Sequence, residues 1–299
     1  MPDDYRALLD QRSLFPLPLP PWTREMTEAF MDRHEIDAAV MSLAPPGVWF
    51  GDAGIAAELA RIVNEATAEL VRAAPERFAG LAVLPLPDVD ASLAELGHAL
   101  DVLELDGVAV LSNVDGIYPG DPRIEPVWTE LDRRGAYVLL HPAAPPAPPA
   151  LPEHPIWLYE FPFDTTRAVV NLIYSGALER ARGLRLQVAH LGGTAPFLAH
   201  RIASLAAREP EKATAAPSGA LAALSRCWFD TGLSNHASAV AASEAVVPLE
   251  RIVFGTDWPY AALPETGDPA PELDAFGERR TLVDSANATA LVPRLFSRP

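Results

Sequence analysis

The strongest constraint in this sequence is a repeated alternation. Short, nearly continuous apolar runs are each followed by a longer Ala-, Leu-, Glu- and Arg-rich stretch whose apolar residues recur every three or four positions. The runs AAVMSLAP (about 38–45), FAGLAVLPL (78–86), GVAVLSN (107–113), YVLLHP (137–142), LRLQVAHLGG (184–193), CWFDTGL (227–233) and IVFGTDWP (252–259) read as strands. Segments such as AAELARIVNEATAELVRAAP and TRAVVNLIYSGALERAR read as the helices between them. Strands that are apolar throughout and separated by helices belong to a parallel sheet covered on both faces. Seven such units are one short of a TIM-type barrel and more than an open doubly wound sheet normally carries, so the expectation is an α/β barrel forming one domain over 1–299. In such a barrel the polar residues that end the runs, Asn113, His141, His190, Asp230 and Asp257, all face the C-terminal mouth.

Composition narrows the chemistry. The 299 residues carry 23 Lys+Arg against 40 Asp+Glu, a net charge of −17, which argues against nucleic acid or an anionic membrane as a partner. Neither a signal peptide nor a transmembrane run is visible, so the expected location is the cytoplasm. Cys227 is the single cysteine, which excludes a disulfide or a Cys-rich zinc site. Lys212, the single lysine, sits in the loop-like EPEKATAAP, which argues against Schiff-base chemistry. No G-x-S-x-G, Walker A or G-x-G-x-x-G motif occurs. What remains is chemistry by His and Asp, with or without a metal.

His141, His190 and Asp257 end three different runs, and two imidazoles converging with a carboxylate make a divalent-metal or acid–base site. His34, His98 and His154 read as surface residues. His200 reads as part of a helix, and His236 lies near the rim. Asp230 either joins the site or holds turn amides beneath it, and its place at a strand end favours the second role. Trp49 and Trp258 are candidates for an aromatic wall, and Phe50 for the wall or the core. The Pro-rich stretch 142–155 and the segment 261–273 read as rim or lid loops, or as simple exposed insertions.

The series SLAPPGVWFGD, LAVLPLPDVDA, GVAVLSNVDGIYPGDP, LLHP, EFPFDTTRAV, AHLGGTAPFLAHRI, WFDTGL and FGTDWP resembles the amidohydrolase-2 group of the amidohydrolase superfamily. It is most similar to that group's aminocarboxymuconate-semialdehyde, resorcylate and methylsalicylate decarboxylases. The resemblance implies one divalent metal ion, zinc or manganese, with His141 and Asp257 as ligands and His190 as the catalytic histidine. Asp257 shares in the catalysis, and Arg201 takes the position of an arginine that grips a substrate carboxylate in a neighbouring subunit. It further implies a homodimer or higher homo-oligomer and a small carboxylic acid substrate, aromatic or enol-type. The group's His-x-His metal pair occurs nowhere in this sequence, and MPDDYRALL resembles the segment that follows it. The family's first strand is therefore expected to be missing from the chain, by choice of start, by truncation or by real loss. Loss of two protein ligands is expected to weaken metal binding by orders of magnitude. The functions left open are a decarboxylase, a metal-dependent hydrolase of an ester, lactone or amide on the same barrel, and an inactive barrel used for binding or assembly.

Overall fold

In a computed structural model that describes residues 1–261 and 263–297, all seven runs form strands. These are β1 (Ala39–Met41), β2 (Phe78–Val83), β3 (Gly107–Leu111), β4 (Tyr137–His141), β5 (Arg185–Val188), β6 (Trp228–Asp230) and β7 (Ile252–Val253). They form one sheet in chain order, β1 to β7, and every register resolved between neighbours is parallel. An open doubly wound sheet reverses its strand order at a switch point, whereas sequential parallel order is that of a TIM-type barrel. β2 and β4 are buried along their whole lengths, which explains their continuous apolar sequences.

Contacts divide the chain into two compact units. The first comprises Met1–Ala109, Thr256–Pro271 and the residues from Val292 onward. Here α1 (Asp3–Arg12), α2 (Arg24–Arg33) and α3 (Ala53–Ala73) accompany β1 and β2. The Asp52 side chain caps α3 by accepting from the Ile55 amide at 2.9 Å. Ala56, Leu59, Ala60 and Val63 then form its buried stripe. Asn64 continues that stripe and docks the helix on β2: its Nδ2 donates to the Val83 carbonyl at 2.9 Å, and its Oδ1 accepts from the Val83 amide at 2.8 Å. Tyr5, Leu8 and Leu9 of α1 pack with Leu43, Val48, Leu59 and Val83, and Phe50 lies against the same core.

The second unit comprises Val110–Gly255 and Glu272–Leu291. It contains α5 (Glu125–Arg133), α6 (Glu160–Tyr174) and the helix Ala195–Ala203, with α4 (Val89–Gly97) preceding it in the chain. The 142–155 stretch forms no helix or strand, as its prolines require. Among the described residues no helix is long and apolar enough to cross a membrane.

Candidate metal and acid–base site

His141 is the last residue of β4 and is buried. Its Nδ1 lies 2.9 Å from the Pro142 carbonyl oxygen. A carbonyl only accepts, so Nδ1 carries the proton and the ring's lone pair is on Nε2.

His190 follows β5 on a sharp turn. Its φ is +57°, and Leu191, Gly192 and Gly193 after it also have positive φ. Gly193 has no alternative: a Cβ there would sit 2.4 Å from the Pro162 carbonyl oxygen. The turn is held from β6, where Asp230 Oδ1 accepts from the His190 and Gly232 amides, each at 3.0 Å. Asp230 Oδ2 accepts from Gln187 Nε2 at 2.7 Å, and Gln187 Oε1 accepts from the Tyr137 hydroxyl at 2.7 Å. Asp230 therefore binds turn amides, the role favoured by its place in WFDTGL. The imidazoles of His141 and His190 meet edge to face, with centroids 5.6 Å apart and planes at 73°.

Asp257 also has a left-handed backbone, with φ of +56°. Its neighbour Trp258 stacks on Phe30 of α2 with centroids 5.0 Å apart and planes at 17°. Phe30 meets His34 at 4.7 Å, and His34 Nδ1 donates to the Gly267 carbonyl at 2.8 Å. Burial, and then the charge of Asp257, pushes the Tyr260 phenol up to about 12.

His141 and His190 belong to the second unit and Asp257 to the first. An imidazole and a carboxylate are donor types that hold zinc and related divalent ions, and His141 carries its lone pair on Nε2, so the chemistry of His141 and Asp257 fits a metal.

Trp49 and Trp258 are half-buried, and Arg201 is exposed on the helix Ala195–Ala203. His154, His200 and His236 are exposed. The surface reading fails for His34, which is buried at 6% exposure because it ends α2 one turn after Phe30 and stacks on that ring. It fails partly for His98, which is half-buried. Sequence reasoning also missed Gln187, Ser112 and Asp164, all buried polar residues. The usable signals were a glutamine inside an apolar strand run and an aspartate among the aromatic and apolar residues of EFPFDTTRAV.

A model of the amidohydrolase family (Amidohydro_2) matches residues 16–293. The chain belongs to this amidohydrolase family. Among relatives, this amidohydrolase is 30% identical over 285 residues to the 6-methylsalicylic acid decarboxylase of Penicillium expansum, covering 93% of this chain and 88% of that protein. The crystal structure of the 2,6-dihydroxybenzoate decarboxylase from Rhizobium is 25% identical with a TM-score of 0.81, over 91% of this chain and 89% of that one. The dihydroxybenzoic acid decarboxylase from Polaromonas sp. JS666, crystallised with bound manganese, shares the fold at 23% identity and a TM-score of 0.78, over 100% and 92% of the two chains.

Proposed function

We propose that this amidohydrolase is a metal-dependent decarboxylase that removes CO₂ from a small aromatic or enol-type carboxylic acid. The observation that carries this reading is the edge-to-face pair of the His141 and His190 imidazoles, which come from neighbouring strand ends, in a chain whose relatives are decarboxylases. His141 and Asp257 would hold the cation, zinc or manganese. Once bound, it would supply Lewis-acid stabilisation of developing oxyanion charge.

The remaining chemistry belongs to side chains of this protein. His190 delivers a proton to the ring or enol carbon that bears the carboxylate, a transfer in which Asp257 is proposed to share. Protonation makes that carbon tetrahedral and leaves the adjoining ring or carbonyl system as the electron sink; the C–C bond then breaks, its electron pair restores the ring or enol, and CO₂ leaves. Trp49 and Trp258 are proposed as the wall against which a planar substrate lies. Arg201, on the exposed face of its helix, is proposed to grip the substrate carboxylate of a neighbouring copy in a homodimer or higher homo-oligomer. We place the enzyme in the cytoplasm.

The test is product analysis with manganese or zinc present and a panel of ortho-hydroxy aromatic and muconate-like acids. CO₂ release that falls with metal removal supports the assignment. Hydrolysis of ester, lactone or amide substrates without CO₂ from any acid would replace it with the hydrolase alternative. Arg201→Ala should raise KM with little change in kcat, because a guanidinium that grips the carboxylate contributes mainly binding.

A further inference from the structure

The carboxylate of Asp164, on α6, is fully buried and collects three donors. Ser112 Oγ and Asn113 Nδ2 donate to its Oδ2, the latter at 2.8 Å, and the Tyr118 hydroxyl donates to its Oδ1 at 2.6 Å. Arg167 Nη1 stands at the edge of the cluster, 3.5 Å from Asp164 and 3.6 Å from Glu160. Burial, followed by the bond to Asp164, pushes the Tyr118 phenol well above its ordinary range. None of these groups has a part in the chemistry above.

Ser112 links the cluster to the site. Its hydroxyl donates to Asp164 and accepts from the Ala143 amide at 2.9 Å, while its own amide donates to the His141 carbonyl at 2.8 Å. Asn113 Nδ2 donates to the Ala144 carbonyl at 2.8 Å. The Ala143 amide belongs to the same peptide unit as the Pro142 carbonyl, the group that accepts from His141 Nδ1 at 2.9 Å. In a planar trans peptide the N–H and C=O point in opposite directions. Fixing the N–H on Ser112 therefore aims the C=O at the imidazole.

The direction of each bond is forced. The amide can only donate, which leaves the Ser112 proton for a carboxylate that can only accept. We infer that Asp164 and Ser112 are positioning residues, which act through the Pro142–Ala143 peptide to hold His141 in its Nδ1-protonated tautomer with Nε2 presented to the metal. A carboxylate that orients a metal-ligating histidine usually bonds the ring directly. Here it does so through a hydroxyl and a backbone peptide. The link to metal binding rests on the function proposed above, whereas the tautomer does not.

The experiment uses the full chain labelled with ¹⁵N-histidine, metal-free at pH 8, with long-range ¹H–¹⁵N spectra and the His141 signal assigned by its loss in His141→Gln. Manganese affinity is measured by titration on the same samples. Wild type should show His141 protonated on Nδ1. Ser112→Ala should move His141 toward a tautomer mixture, leave the His34 and His190 signals in place and weaken manganese binding about 10- to 100-fold, the usual cost of losing a partner of a metal ligand. An Nε2-protonated His141 in wild type overturns the inference even if no variant folds. So does a folded Ser112→Ala protein that keeps the wild-type tautomer, whatever its manganese affinity. A changed tautomer with unchanged affinity overturns the link to metal. Wild type that binds no manganese at all counts against the proposed function, while its tautomer still judges the relay.

Discussion

His190 and Asp257 have the same unusual backbone and opposite supports. Both stand in the left-handed region shortly after a strand. The His190 turn is tied from below by a buried hydrogen-bond network running from Tyr137 through Gln187 to Asp230. The residue after Asp257 is instead held by ring stacking, from Trp258 to Phe30 to His34, which ends in one bond to the carbonyl of Gly267. Hydrogen bonds to a buried carboxylate fix direction within narrow limits, and losing one partner strands the others. Stacked rings slide at low cost and contribute about 0.5–1.5 kcal/mol per pair beyond burial. His190 is thus the more rigidly held of the two, and Asp257 the one whose surroundings yield more readily.

The largest expected effect tests the rigid side. His190→Ala should lower kcat about 10²–10⁴-fold at saturating metal, the usual worth of a positioned imidazole in proton transfer, with circular dichroism unchanged. Asp230→Ala should approach that loss, since it frees the turn carrying His190. Near wild-type kcat in a folded Asp230→Ala protein would break the comparison.

Stability comes next in size. Asp230→Ala leaves two amides and the Gln187 side chain without their buried acceptor, so the urea midpoint should fall by the equivalent of about 3 kcal/mol or more. Phe30→Leu, which keeps most of the volume but removes the stack, should cost about 1–2 kcal/mol and change kcat less than tenfold. Equal losses in the two variants would mean that the supports do not differ in kind.

The smallest effect uses Cys227, one residue before β6, as a reporter. Burial pushes its thiol up to about 12. The folded state therefore favours the neutral thiol: that contribution to stability is complete below about pH 9 and is lost as pH rises from there toward 12. At pH 8 the thiol of the native protein should resist iodoacetamide, and Asp230→Ala should label faster than Phe30→Leu. Equal labelling rates would blur the distinction.

The strands were legible because burial on both faces writes an apolar run into the sequence. Their ends were less so. The run 184–193 ends as a strand at Val188 because His190 and Leu191 turn left-handed, and 252–259 keeps only Ile252 and Val253 because the Phe254 amide donates to the Val283 carbonyl instead. The three residues proposed for the site could be singled out, since each stood at a predicted strand end beside a Gly or Pro. Their supports could not. Asp230 is 40 residues from the amide it holds and Asp164 is 52 from Ser112, and pairs at such separation leave no periodic trace.

The left-handed backbone at His190 and Asp257 has a consequence for anyone evolving this protein. Glycine adopts that conformation freely, while other residues bear about 1–2 kcal/mol there. A screen that rewards heat resistance alone would therefore accept glycine at 190 and 257 and lose the two side chains proposed to carry the chemistry. Only a screen that also demands turnover would keep the histidine and the aspartate in place.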